Sequence, residues 1–73
     1  MELYKNLEAG VRKFEFDSSS ITIEFTDGSA YVYNSRKPGY QHVRNMQILA
    51  KKGYGLTTYI NKYVRENYAL KIK

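Results

Sequence analysis

The stretch Ile21-Thr22-Ile23-Glu24-Phe25-Thr26-Asp27-Gly28-Ser29-Ala30-Tyr31-Val32-Tyr33 decides the fold. Apolar and polar residues alternate, Asp27-Gly28 interrupts, and the alternation resumes. Asp-Gly between two alternating runs predicts a β-hairpin, because a two-residue primed turn needs positive φ at positions that Asp and Gly tolerate. With Thr26 and Ser29 flanking the turn, Phe25 faces Ala30, Glu24 faces Tyr31, Ile23 faces Val32 and Thr22 faces Tyr33. Opposed residues share a face. The expected core face is therefore Ile21, Ile23, Phe25, Ala30 and Val32. Thr22, Glu24, Tyr31 and Tyr33 fall on the other face, open to solvent or covered by a partner.

Toward the N-terminus, residues 11–17 (Val-Arg-Lys-Phe-Glu-Phe-Asp) read as a preceding strand, joined through the polar turn Ser18-Ser19-Ser20. With Ser18-Ser19 as the turn, Phe16 faces Ile21 and Phe14 faces Ile23, adding both rings to the core face. Lys13 then opposes Glu24, and Glu15 opposes Thr22. Residues 1–10 allow two readings: a helical turn through Leu3, Tyr4 and Leu7, or an extended segment packed across the sheet.

Toward the C-terminus, Asn34 to Gly39 reads as a loop around Pro38. A helix is predicted over 40–52, with Tyr40, Val43, Met46, Gln47 and Ala50 on its inner side. Its outer side holds Arg44, Ile48 and Lys51, a column at i, i+4, i+7 with an isoleucine between two cations, beside Lys52. Gly53 is placed to cap this helix. A second helix is predicted over 56–67, with Leu56, Tyr59, Ile60, Tyr63 and Val64 as an amphipathic stripe. The alternating tail, 68–73, reads as a short edge strand or a frayed end. The architecture that follows is α+β: one domain over 1–73, with an N-terminal segment (1–10), a three-stranded antiparallel meander (11–34), two helices packed on one face (38–67) and a tail.

Composition narrows the chemistry. The 73 residues include no cysteine, which excludes disulfides and thiolate metal sites, and a single histidine, His42, without clustered carboxylates argues against a metal centre. No apolar run approaches the roughly 18 residues that span a bilayer. The Met-Glu-Leu-Tyr-Lys start lacks the pattern of a signal peptide, so a soluble cytoplasmic protein is expected. The net charge of +5 is uneven: residues 1–35 carry −3 and residues 36–73 carry +8. That asymmetry points to a basic surface and a polyanionic partner; the plainer reading is a solvated basic face that aids solubility.

Several short motifs stand in a set order: Ile23-Glu24-Phe25-Thr26-Asp27-Gly28, Tyr31-Val32-Tyr33, Lys37-Pro38, Ala50-Lys51-Lys52-Gly53-Tyr54, Tyr59-Ile60 and Tyr68. In this order and spacing the chain resembles the KTSC domain family over roughly residues 11–68. That is a short bacterial module found alone and at the C-terminus of some lysyl-tRNA synthetases. The resemblance implies a small α+β fold and, through the synthetase fusion, RNA as a ligand.

No catalytic constellation stands out. His42 has no evident nucleophile or paired carboxylate beside it. Gly53-x-Gly55 is too short for a phosphate-binding fingerprint, and capping and tight turning explain both glycines. The expectation is a non-enzymatic binding domain without cofactor or metal. For nucleic acid, Tyr31 and Tyr33 would stack bases while Arg36, Lys37, Arg44, Lys51 and Lys52 track phosphates. On the expected register the tyrosines and the basic helix lie on opposite sides of the sheet, bridged only by the Arg36-Lys37 loop. The alternative is a protein-interaction or dimerisation module that uses the outer sheet face with Tyr31, Tyr33 and Thr22.

Overall fold

The computed structural model describes residues 1–5 and 10–73. The chain forms a five-stranded antiparallel sheet: β1 (Glu2–Leu3), β2 (Val11–Phe16), β3 (Ser20–Phe25), β4 (Ala30–Asn34) and β5 (Leu70–Lys71), each beside the next in sequence order. Between β4 and β5 come α1 (Tyr40–Lys52) and α2 (Leu56–Tyr59), which runs on as a wide π turn (Ile60–Val64). The fold is thus α+β with the helices on one face, but with five strands rather than three. Both ambiguous termini resolve as strands: β1 pairs Glu2 with Phe14, and β5 pairs Leu70 with Val32. The helical turn through Leu7 falls partly on residues 6–9, outside the described residues.

The β2–β3 register is the one that the Ser18-Ser19 turn predicts: Lys13 opposes Glu24, Phe14 opposes Ile23, Glu15 opposes Thr22 and Phe16 opposes Ile21. Asp17 fixes this turn by accepting the Ser19 and Ser20 N–H groups, each at 2.9 Å. Those donors favour the carboxylate, so the Asp17 pKa lies below its ordinary value, chiefly through the Ser19 N–H. Further along, Val11 opposes Phe25 while Lys13 opposes Glu24, so Arg12 is the extra residue of a β-bulge. The bulge returns Val11 to the core, fully buried, and leaves Arg12 exposed with its guanidinium 3.8 Å from Glu24.

The β3–β4 register corrects the sequence reading by one residue. Ile23 opposes Tyr31, Ile21 opposes Tyr33, Thr22 opposes Val32 and Glu24 opposes Ala30. The loop holds three residues, not two. Gly28 N–H donates to Phe25 O (3.0 Å), and Phe25 N–H donates to Ser29 O (2.8 Å). Gly28 alone takes positive φ, at 92°. This is a turn closed by a left-handed glycine bulge, the usual three-residue solution. Asp27 supports it by accepting the Ser29 hydroxyl (2.6 Å) and N–H (2.9 Å), which lowers the Asp27 pKa, the hydroxyl having the larger effect. Because side chains alternate with period two, the one-residue slip reverses the faces of β4. Tyr31 and Tyr33 join the helix-covered face, and Ala30 and Val32 move to the outer one.

Tyr4, Phe14, Ile21, Ile23 and Tyr33 from the sheet side pack against Val43, Met46 and Ala50 of α1, with Leu56, Ile60 and Val64 completing the core. Burial of each large apolar side chain stabilises the fold by roughly 1.5–3 kcal/mol. Two polar contacts fix how the helices sit. Gln47 is buried, and its Nε2 donates to Asp17 O (2.8 Å) and Ser20 O (3.1 Å), tying α1 to the β2–β3 turn. The Tyr4 hydroxyl accepts the Leu56 N–H at 3.0 Å, supplying a partner to a donor that the first turn of α2 leaves free. Gly53 caps α1 as expected, in a left-handed conformation with its N–H on Leu49 O. The predicted second helix is shorter and wider than its 56–67 pattern implies. Ile60 and Val64 face inward, whereas Tyr63 turns out to 52% exposure. Tyr40, placed on the inner side of α1 by its spacing, is also exposed.

Candidate nucleic-acid interface

The structure divides the predicted site residues among three places. Arg44, Lys51 and Lys52 lie exposed on α1, around Ile48. Phe16, at the end of β2, reaches the same spot. The sequence assigned Phe16 to the core, yet its ring is 38% exposed. Two-residue periodicity gives the right face, but the ring stands at the strand's last residue, beside the helix rather than beneath it. It lies parallel to Phe14, with centroids 6.1 Å apart at 11°. Phe16, Ile48 and Gln47 floor a depression of about 390 Å³ rimmed by Arg44, Lys51 and Lys52. Lys51 Nζ lies 5.9 Å from the Phe16 ring centroid and 3.0 Å from the Glu2 carboxylate. Lys52 Nζ lies 5.6 Å from the Tyr54 ring. Among the described residues, no carboxylate lies within ion-pair distance of Arg36, Lys37, Arg44 or Lys52.

Tyr31 and Tyr33 are elsewhere. They do not form an open stacking platform on the outer sheet face. Tyr33 is 1% exposed, and burial pushes its phenol up to about 12. Tyr31 is half-buried, edge-on to Phe25 (5.7 Å) and tilted against Tyr68 (4.6 Å), with Lys71 Nζ 5.7 Å from its ring centroid. Both tyrosines line a second cleft, between the 25–29 turn and the π turn. Arg36 and Lys37 occupy the exposed loop that leads into α1 and line neither depression. The helix-borne cations and the Tyr-x-Tyr pair therefore lie on the same side of the sheet but in separate sites.

The outer face of the sheet is partly covered by the chain's own tail. The Lys73 ammonium donates to Glu24 at 3.1 Å, and the Lys73 carbonyl accepts the Ala30 N–H at 3.1 Å. This hydrogen bond from Lys73 is the main reason the Glu24 pKa is lowered, outweighing the opposing effect of desolvation. His42 is half-buried, with Nδ1 2.6 Å from the Tyr59 hydroxyl; that hydroxyl accepts from Asn45 Nδ2 at 3.1 Å. Its role here is to tie α1 to α2. Among the described residues, no helix is long and apolar enough to cross a membrane. No family model, curated protein or solved structure matches the chain.

Proposed function

We propose that this chain is a small, non-enzymatic binding domain of the KTSC kind whose α1 face takes a polyanion, single-stranded RNA in particular. One observation carries the reading: Phe16 and Ile48 sit exposed in a depression that three cations surround. An aromatic floor with a basic rim is what an unpaired base and its flanking phosphates require. The duplex surface has no free base face to offer Phe16, so a single strand is favoured. The parallel Phe14–Phe16 stack holds the outer ring in place, which lowers the ordering cost of binding.

Salt dependence tests the proposal. If Arg44, Lys51 and Lys52 neutralise about three phosphates, log K falls against log salt with a slope of about −2.1. Raising salt fourfold then weakens binding roughly 18-fold. In Lys52→Gln the slope falls to about −1.4 and the loss to roughly 7-fold. Phe16→Ala weakens binding by about 1–3 kcal/mol with the slope unchanged. A salt-independent affinity, or equal affinity in Phe16→Ala, would sink the reading.

A second reading has an observation of its own. Leu3, Leu70 and Ile72, at the two edges of the sheet, are more than half exposed, at 59%, 59% and 52%. Leu3 and Leu70 register with the outward-facing Lys13 and Val32. An outer-face dimer would cover them. Sedimentation equilibrium decides this: a concentration-dependent mass that Leu70→Glu abolishes favours the dimer, and a constant monomer mass removes it.

A further inference from the structure

We infer that the cleft between the 25–29 turn and the π turn is a binding site for a planar heterocycle bearing both hydrogen-bond donors and acceptors, that is, a nucleobase. This site is separate from the α1 depression and does not depend on it. The cleft measures about 670 Å³, within the roughly 300–1,000 Å³ typical of small-ligand sites.

Three features point to a ligand and to its class. First, Tyr33 is 1% exposed and lines the cleft; its hydroxyl bonds to no described residue and is not among the fully enclosed polar atoms, so it opens into the cleft. A phenol is protonated at neutral pH, so this hydroxyl can donate to an acceptor held in the cleft. Second, the rings of Phe25, Tyr31 and Tyr68 form one wall, a surface on which a flat ring packs. Third, the facing wall comes from the π turn and the residues after it: Asn61 offers both an acceptor and donors, Arg65 donors and Glu66 an acceptor. Wide π turns recur at functional sites because they re-aim side chains in this way.

Other ligand classes fit less well. An anion would meet Asp27 and Glu66 against the single guanidinium of Arg65. A cation would find the Tyr31 ring already facing Lys71 Nζ and Arg65 in its path. A purely apolar ligand would leave Tyr33, Asn61 and Arg65 without partners. A neutral base, with a stacking face and mixed polar edges, satisfies all of them. It arrives either as a free nucleoside or as an unpaired base in a strand.

The test uses the four uncharged ribonucleosides, which carry no phosphate for the α1 cations, with ribose as the control. Saturation transfer and chemical-shift changes are read at the Tyr31 and Tyr68 rings. The expected result is binding by at least one nucleoside and not by ribose, weakened roughly 2–13-fold in Tyr33→Phe, which removes one donor and keeps the ring. An unchanged amide spectrum shows that the variant is folded. Shifts at Tyr31 and Tyr68 with the Phe16 and Ile48 resonances unmoved separate this site from the polyanion face; nucleoside shifts confined to Phe16 and Ile48 would overturn it. A base-bearing oligomer that displaces the nucleoside identifies a strand as the source, and one that leaves it bound identifies a free nucleoside; either supports the site. No shift with any nucleoside at millimolar concentration, or equal affinity in folded Tyr33→Phe, would overturn it.

Discussion

Raising the pH above 10 removes stability through Tyr33. This follows from the register of β4, which buries the Tyr33 phenol and lifts its pKa from 10.0 to about 12. Below pH 10 the side chain is protonated in both the folded and unfolded chain. Between 10 and 12 the unfolded chain releases the proton and the folded chain keeps it. The unfolded state then binds fewer protons, so stability falls as pH rises. Two pKa units correspond to roughly 3 kcal/mol. For a domain of this size that is a drop of roughly 12–24 °C in melting temperature. The assay is urea unfolding followed by circular dichroism at pH 7, 10 and 12, with phenolate absorbance recorded in parallel. The chain has eight tyrosines, and one of them is expected to ionise late, together with unfolding. Lysines titrate in the same range, so Tyr33→Phe is the control: it removes this part of the pH dependence and leaves the lysine part. Equal pH dependence in the two proteins, with all eight phenols ionising near 10, would refute the buried placement and with it the three-residue turn.

Other consequences follow from single contacts. Gly28→Ala forces a side chain into a left-handed conformation at φ 92°, with no neighbouring atom within 4 Å, so the cost is backbone strain of about 1–2 kcal/mol, read as a lower urea midpoint. Gln47→Leu removes both hydrogen bonds to the β2–β3 turn and destabilises by about 1–3 kcal/mol; an unchanged midpoint would mean the amide does not hold the turn. The Glu24 pKa is lowered, so its contribution is present above the ordinary carboxylate range and is lost as pH falls through the lower folded value. In Lys73→Met the Glu24 titration, followed by carboxyl carbon NMR, moves up toward the ordinary value.

Local chemistry made part of this fold legible. The serine turn set the β2–β3 register because Asp17 fixes it within three residues, and the α1 stripe and Gly53 cap followed from helical spacing. The hairpin failed at one residue. Asp27-Gly28 fits a two-residue turn and equally a three-residue turn closed by Gly28. Sequence alternation did not choose between them, because β4 offers Ala30 and Val32 on one face and Tyr31 and Tyr33 on the other, and both sets can be buried. The two end segments stayed open between strand and other readings because β1 and β5 are two residues long and gain their hydrogen bonds only from the finished sheet. The cationic column Arg44-Ile48-Lys51 was legible from α1 alone. Its aromatic floor, Phe16, was not, because it comes from a strand end about thirty residues away that tertiary packing and the Gln47 contact bring to the helix. The π turn left no trace in the pattern, since Leu56, Ile60 and Val64 suit an ordinary helix too.

The proposed role of the α1 face, with Phe16 as its floor, is to hold a nucleic-acid strand. The most direct test is an NMR titration of labelled protein with a short mixed-sequence single-stranded RNA at low and moderate salt, beside a duplex control. Shifts are expected at the Phe16 ring, Ile48, Lys51 and Lys52 with the single strand, weakening as salt rises and smaller with the duplex. Unchanged Phe16 and Ile48 resonances at millimolar RNA, or shifts confined to Leu3, Leu70 and Ile72 on the outer face, would contradict it.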